Sequence, residues 1–159
     1  MPAAVEKTLA FLVTEDWFFV SHFIKRAVAA KRAGWRVVVL TRVSNCGATI
    51  AAAGIEVINV PFNRKRLNPV AELWFSWNIF RIYRQLQPDL VHHVALKPII
   101  VGGLAARLAG VKAVLNAPVG LGFIYSSNKW LAVILRPLVN VALRLTLSPP
   151  HSRVVFENP

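Results

Sequence analysis

The stretch VVVLTRVSNCGATIAAAGIEVINV (residues 37–60) contains the repeating pattern that decides the fold of this chain. Two short apolar runs, Val37–Leu40 and Ile55–Val60, flank a segment, Asn45–Ala53, whose apolar residues have helical spacing. Strands are short and mostly apolar when helices cover both faces of a parallel sheet. The stretch therefore predicts a β-α-β unit with two parallel strands.

The same alternation continues along the whole chain. Four further apolar runs are predicted strands: Leu9–Val13, Leu90–Val94, Ala113–Leu115 and Val154–Phe156. Helices are predicted from Ser21 as N-cap to Gly34, from Asn68-Pro69 to Leu86, over Pro98–Ala109 and over about Asn128–Leu145. The sequence thus predicts one α/β domain over residues 1–159, with a Rossmann-like, doubly wound parallel sheet of about six strands and helices on both faces.

Composition narrows the range of partners. The chain carries a formal charge of +12 over 159 residues and is 55% hydrophobic. This charge favours an anionic partner, which is nucleic acid, an anionic membrane surface or a phosphorylated ligand. One cysteine excludes an internal disulfide, and the best membrane-span candidate, Trp130–Leu147, is interrupted by Arg136, Pro137 and Arg144. With no secretory signal at the start, we expect a cytosolic chain that does not span a membrane.

Ligands of such sheets bind beyond the carboxyl ends of the strands, so the segment TEDWFFVSH (residues 14–22) after the first strand is a candidate site. It contains no glycine, which disfavours NAD or FAD. Glu15, Asp16 and His22 can bind hydroxyl groups, and Trp17 can stack on a sugar ring. The alternative is structural: Trp17 and Phe18 cover the sheet edge, and Glu15 or Asp16 caps a helix.

The stretch PDLVHHVALKP (residues 88–98) places two adjacent histidines at the end of the fourth strand. His92 and His93 point to opposite faces because side chains alternate along a strand, so at most one can face a cleft and a metal site is disfavoured. Lys97 begins the next helix, where it can meet a phosphate together with the helix dipole. The alternative is that the histidine is a structural residue at a strand end.

Arg64, Lys65 and Arg66 stand directly before the helix Val70–Leu86, whose two faces are both apolar. One stripe suits packing on the sheet and comprises Phe75, Ile79, Ile82 and Leu86. A second stripe comprises Leu73, Trp77 and Phe80, accompanied by Trp74, Arg81 and Arg84. Tryptophan beside arginine is typical of the interface of an anionic membrane. The alternative is that this stripe packs on a neighbouring helix or on another subunit.

Several segments together resemble, in order, the amino-terminal domain of family 4 glycosyltransferases, and most closely the bacterial branch that acts on lipid-linked or cell-surface saccharides. They are FLVTEDWFFVSH, AAAGIEVINVPFNRKRLNP, QPDLVHHVALKP, GGLAARLAGVKAVLNAPVGLGF and VVFENP. The resemblance implies the GT-B fold, in which an amino-terminal Rossmann-like domain binds the acceptor and a second one binds the nucleotide-sugar. It also implies transfer of a hexosyl or N-acetylhexosaminyl group with retention, and no metal or other cofactor.

The resemblance also implies site residues. The family pattern D-x-V-H-x-H matches Asp89, Val91 and His92, while Val94 stands at the second histidine position and His93 is its neighbour. His93, or failing that His92, is expected at the reaction centre. Expected acceptor-binding residues are Glu15, Asp16, Trp17, His22, Lys97, Asn116, Gly120 and Gly122. From the charges and the second helix stripe, and not from the resemblance, the expected membrane or phosphate contacts are Arg64, Lys65, Arg66, Trp74, Trp77, Arg81 and Arg84.

The segment RVVFENP resembles the end of the first domain, so the donor-binding domain is expected to lie outside this chain. We therefore expect the acceptor-binding half of a glycosyltransferase, inactive alone, at the inner face of the cell membrane. Its acceptor would be a lipid-linked or polysaccharide saccharide. The alternative function is a non-enzymatic basic module that binds nucleic acid or an anionic membrane.

Overall fold

The protein forms one six-stranded parallel sheet, seen in a computed structural model that describes residues 6–62, 69–119, 130–147 and 151–156. The strand order is β3-β2-β1-β4-β5-β6. The strands are β1 Thr8–Glu15, β2 Arg36–Arg42, β3 Glu56–Asn59, β4 Leu90–Val94, β5 Ala113–Ala117 and β6 Ser152–Val154. The predicted Rossmann-like sheet of six strands is confirmed.

Helices cover both faces of this sheet, as predicted. They are α1 Asp16–His22, α2 Ile24–Arg32, α3 Gly47–Ala52, α4 Pro69–Leu86, α5 Leu96–Ala109 and α6 Trp130–Leu147. Helices α1 to α3 pack on one face, α4 and α5 pack on the other, and α6 lies beside α5. None of the helices in the described part of the chain is long and apolar enough to cross a membrane.

The alternation of side chains along β1 divides the core into two halves. Phe11 contributes to one half and contacts Phe19 and Phe23 of the α1 and α2 region, with ring centroids 5.3 and 6.3 Å apart. Leu12 points to the opposite face and packs in the cluster that contains Ile79 and Tyr83 of α4. Successive residues of a strand therefore contribute to separate halves of the core.

The strand order places β1 beside β4, with Val13 next to Val94. After β1 the chain turns towards β2, and after β4 it turns the opposite way towards β5. Doubly wound sheets usually bind their ligands in a crevice at the carboxyl edge, where the connections diverge in this way. The crevice expected here lies between the first turns of α1 and α5, which both begin at this edge.

Two predictions around β1 and α1 were wrong. The first strand does not end at Val13, because β1 extends to Glu15 and α1 follows at once. Ser21 is not an N-cap but lies inside α1, where its hydroxyl donates to the Trp17 carbonyl at 2.8 Å. Serine competes for both roles, capping a helix or bonding back to residue i−4, and sequence alone does not separate them.

Candidate functional site

Asp16, at the start of α1, is buried and accepts four hydrogen bonds. Its oxygens accept from the Ser44 amide at 2.8 Å, the Ser44 hydroxyl at 2.5 Å, the Cys46 amide at 2.7 Å and the Trp17 amide at 2.8 Å. Burial alone would raise the pKa of Asp16, but these hydrogen bonds lower it to about 2. The ionised carboxylate ties the segment after β2 to the start of α1.

Glu15, the last residue of β1, is also buried, and its partner is a charge from the neighbouring strand. Arg42, at the end of β2, donates to Glu15 Oε2 from Nε at 3.1 Å and from Nη2 at 2.9 Å. The guanidinium is half exposed, whereas the carboxylate is 2% exposed. The edge of the sheet thus presents a positive group supported by a buried negative one.

An aromatic group projects from α1 beside these carboxylates. The Trp17 side chain is 47% exposed and meets Phe18 edge-on, with ring centroids 5.7 Å apart. Phe18 stacks on the His22 ring at 4.3 Å, and His22 Nδ1 lies 3.2 Å from the Phe18 carbonyl oxygen. Exposed flat rings beside polar groups are suited to stacking on one face of a sugar while its hydroxyls are hydrogen-bonded.

The opposite side of the crevice begins with a strained residue. Ala95, which links β4 to α5, has φ 79° and ψ 163°, a conformation found almost only for glycine. Its amide donates to the Ala117 carbonyl at 2.9 Å, and its carbonyl accepts from the Ile99 amide at 3.1 Å. These bonds hold Ala95 in place, and they set the first turn of α5 at the carboxyl edge.

Lys97 lies in that first turn and forms an ion pair with α4. Its Nζ lies 2.6 Å from Oε1 of Glu72, and both side chains are about three-quarters buried, at 23% and 27% exposure. The second carboxylate oxygen, Glu72 Oε2, is buried with no hydrogen-bond partner in the described part of the chain. The pair fixes the position of an ammonium group beside the crevice.

His93 lies within the sheet, in a chain of four buried polar side chains. Asn116 Nδ2 donates to Ser152 Oγ at 2.9 Å, so its Oδ1 accepts from His93 Nδ1 at 3.1 Å. His93 Nε2 then accepts from the Tyr83 hydroxyl at 3.1 Å. Burial outweighs the bond to Asn116 and lowers the pKa of His93 to about 4. Both ring nitrogens of this neutral histidine are occupied.

His92 points to the opposite face, as predicted, and is surrounded by aromatic rings. Its ring centroid lies 5.0 Å from that of Phe11 and 5.4 Å from that of Phe23. Its Nε2 is buried and has no hydrogen-bond partner in residues 6–62, 69–119, 130–147 and 151–156. Burial, assisted by the charge of Arg26, lowers the pKa of His92 to about 4. Neither histidine is exposed at the crevice.

The remaining predicted site residues fall into three groups. Asn116 is buried in the polar chain just described. Trp74, Trp77, Arg81 and Arg84 lie exposed on α4. Gly120, Gly122, Arg64, Lys65 and Arg66 lie outside the described residues. No group of three or more His, Cys, Asp or Glu residues is arranged to hold a metal ion in the part of the chain that the structure describes.

Sequence reasoning missed the partners that hold the site together, namely Arg42, Ser44, Glu72 and Tyr83. One signal was available for Arg42 and Ser44. Arg42 ends β2 and Ser44 comes shortly after it, just as Glu15 ends β1 and Asp16 comes directly after it, and these strands are neighbours in the sheet. Parallel neighbours end at the same edge, so their terminal residues meet. Glu72 is the one acidic residue in the sequence of α4, which marks it for pairing with a nearby cation.

The fold is that of a Rossmann-like domain, with polar, charged and aromatic groups at its switch point. The chain belongs to the glycosyl transferase 4-like family, whose model matches residues 8–147. The recognition of a family 4 glycosyltransferase domain from the sequence is thereby confirmed. A search of curated proteins finds no relative.

Solved structures share the fold at low sequence identity. A glycosyltransferase from Rickettsia africae has a TM-score of 0.60 at 18% identity, covering 96% of this chain and 43% of its own. MurG from Acinetobacter baumannii has a TM-score of 0.58 at 21% identity, and the match covers 70% of this chain and 35% of MurG. The glycosyltransferase VinC, solved with dTDP, has a TM-score of 0.56 at 16% identity, and the match covers 96% of this chain and 51% of VinC. The chain therefore spans about a third to a half of the solved chains that it matches.

Proposed function

We propose that this chain is the acceptor-binding half of a glycosyltransferase of the bacterial surface-saccharide branch. The reaction would move a hexosyl or N-acetylhexosaminyl group, with retention, from a nucleotide-sugar to a lipid-linked or polysaccharide acceptor at the inner face of the cell membrane. The main support is the carboxyl edge, where the exposed Trp17 ring, the buried carboxylates and the Lys97 ammonium flank the crevice between β1 and β4. This combination suits a sugar that carries a phosphate.

The proposed roles follow from the position and chemistry of each group. Trp17 stacks on the acceptor sugar and His22 binds its hydroxyls, while Glu15, whose carboxylate is buried, positions the Arg42 guanidinium at the edge. Lys97 binds an acceptor phosphate in exchange for Glu72, because an ammonium group is a common phosphate ligand. A carboxylate has about four acceptor sites, and in Asp16 four donors already use them. Asp16 is therefore proposed as a positioning residue that keeps Trp17 at the edge.

His93 is proposed as a positioning residue for the same reason, since both of its ring nitrogens are occupied inside the sheet. His92 and His93 are buried, and their lowered pKa makes them weak proton acceptors, so neither is assigned as a general base. The phosphate of the donor itself is proposed as the base. The nucleotide-sugar would be bound by a second domain outside this chain, with no metal or other cofactor, and Gly120 and Gly122 remain predicted acceptor contacts.

A second candidate function is supported by charge alone. A formal charge of +12 would also suit a non-enzymatic module that binds nucleic acid or an anionic membrane. Phosphate contacts occur in both functions, so salt dependence does not separate them. Binding of a neutral saccharide next to the phosphate does, because a nucleic-acid module would stack Trp17 on a base instead.

The test is a titration of the full chain, followed by NMR, with a water-soluble, short-chain prenyl diphosphate that carries N-acetylglucosamine. We expect shifts at Trp17 and Lys97, and no comparable binding of UDP-N-acetylglucosamine. Trp17→Ala should weaken the complex by about two- to tenfold, because a stacked ring contributes roughly 0.5–1.5 kcal/mol. Trp77→Ala is the matched control, since Trp77 has a similar exposure on a different helix.

Two outcomes would contradict the proposal. If UDP-N-acetylglucosamine binds and the prenyl diphosphate sugar does not, the chain is not an acceptor-binding half. If duplex DNA binds tightly and neither sugar ligand does, the second candidate function is correct. Equal effects of Trp17→Ala and Trp77→Ala would remove the assigned role of Trp17.

A further inference from the structure

Helix α4 carries a continuous exposed stripe that changes in character along its length. Val70, Leu73, Trp74 and Trp77 occupy the amino-terminal half, and the two tryptophans are 63% and 55% exposed. The stripe continues at helical spacing into exposed Arg81 and Arg84. The predicted second stripe is thus corrected at one position, because Phe80 packs against the core. An ordinary surface helix exposes polar residues on this side.

The same character extends across the neighbouring helices of this layer. Its large exposed apolar side chains are Val70, Leu73, Trp74, Trp77, Leu104, Leu108, Val141 and Leu145. In the helices on the other face of the sheet, as far as the structure describes them, Trp17 is the one large apolar side chain that is exposed. Helix α5 packs against both α4 and α6, so these residues belong to one helical layer.

The charges of this layer are almost all positive. The sequences of α4, α5 and α6 contain the basic residues Arg81, Arg84, Lys97, Arg107, Arg136 and Arg144 and a single acidic residue, Glu72. Glu72 is ion-paired with Lys97. A face that combines large apolar side chains with unbalanced positive charge fits a partner that is both apolar and anionic. A bilayer with acidic headgroups has this combination at its surface.

We propose that the outer face of the α4–α6 layer is the surface by which the chain docks on an anionic lipid bilayer. Trp74 and Trp77 would lie at headgroup level, with Arg81 and Arg84 against lipid phosphates. A second copy of the chain fits this face poorly, because two such layers would bring their positive charges together. Nucleic acid would satisfy the arginines but would leave the aliphatic Val70 and Leu73 in water.

This orientation brings the crevice close to the lipid. The first turn of α4 reaches the first turn of α5 through the Glu72–Lys97 pair. The apolar half of the stripe therefore starts at the carboxyl edge, one turn or less from the proposed phosphate ligand Lys97. The inference rests on the proposed function for its location at a membrane, and it adds which surface makes the contact.

The test is co-sedimentation of the full chain with vesicles of phosphatidylglycerol and phosphatidylethanolamine, with phosphatidylcholine vesicles as the neutral reference. Arg81→Gln/Arg84→Gln should weaken binding about 30-fold, from roughly fivefold for each arginine near an acidic surface. Trp74→Ser/Trp77→Ser should weaken it about tenfold or more, because two interfacial rings are lost. Lys25→Gln/Arg32→Gln is the matched control, with the same loss of charge from exposed positions of α2.

The control should retain most of the binding, and brominated lipids should quench the tryptophan fluorescence of the wild type more than that of Trp74→Ser/Trp77→Ser. An equal loss in the control would overturn the proposal, since it would mean diffuse attraction by net charge. Self-association that disappears in Trp74→Ser/Trp77→Ser would overturn it in favour of a second copy. If vesicle binding fails while the soluble prenyl diphosphate sugar still binds, the docking surface is wrong and the proposed function stands.

Discussion

His92→Leu should make this protein less sensitive to acid without loss of stability at neutral pH. The His92 ring lies between Phe11 and Phe23, and its buried Nε2 has no hydrogen-bond partner among the described residues. Leucine is similar in size and has no polar atom to leave unpaired. We therefore expect the free energy of unfolding at pH 7 to be unchanged or higher by about 1 kcal/mol.

The acid sensitivity follows from the two buried histidines. Burial lowers the pKa of His92 and of His93 from 6.5 to about 4 in the folded state. Between these values the unfolded chain binds protons that the folded chain does not, so stability is complete above pH 6.5 and falls as the pH drops towards 4. At pH 5 the lowered pKa of each histidine should therefore have reduced the free energy of unfolding by about 2 kcal/mol. His92→Leu removes one of these two contributions.

The assay is unfolding in guanidinium chloride at pH 8, 7 and 5, followed by circular dichroism. In each protein the free energy of unfolding at pH 8 should equal that at pH 7, which is the internal control. From pH 7 to pH 5 the wild type should lose about 2 kcal/mol more than His92→Leu. Identical losses in both proteins would refute the reasoning, because the pKa of His92 would then be the same in the folded and the unfolded state.

Two further predictions concern the crevice. Ala95→Gly should raise the free energy of unfolding by about 1 kcal/mol, since glycine adopts φ 79° without strain. The matched Ala29→Gly, in the middle of α2, should lower it by about 1 kcal/mol. If chemical unfolding shows a loss of stability at both sites, Ala95 is not strained. Asp16→Asn should cost about 2 kcal/mol at pH 7, because an amide cannot accept the four hydrogen bonds of the carboxylate. The exposed Glu56→Gln, which breaks the surface pair with Arg36, should cost less than about 1 kcal/mol in the same assay, and equal costs would deny Asp16 its structural role.

The fold was predictable because its signals are local. Each strand of a covered parallel sheet is a short apolar run, and Val37–Leu40 and Ile55–Val60 could be identified without knowing their neighbours. The boundaries were less accurate where a residue type serves two structures. Ser21 suits a cap and a helix interior equally well. Helix α5 starts at Leu96, although Pro98 is the residue type that favours a helix start.

The placement of the candidate residues in the fold was predictable, but their bonding was not. Glu15, Asp16 and Lys97 were assigned to the carboxyl edge because every parallel strand ends there. Their partners are remote in sequence, since Arg42 lies 27 residues from Glu15 and Ser44 lies 28 from Asp16. His93 is buried where its own strand β4 meets α4, at Tyr83, and β5, at Asn116. No local pattern carries that information.

The buried polar chain of Tyr83, His93, Asn116 and Ser152 also restricts how this sheet can change during evolution. Among these four side chains, Tyr83 and Ser152 at the ends each make one hydrogen bond to another member, whereas His93 and Asn116 in the middle each make two. An apolar replacement of His93 or Asn116 leaves two buried groups unpaired, and a replacement at either end leaves one. Tolerated substitutions would therefore start at Tyr83 or Ser152 and proceed inward, so the order of mutations is limited as well as their identity.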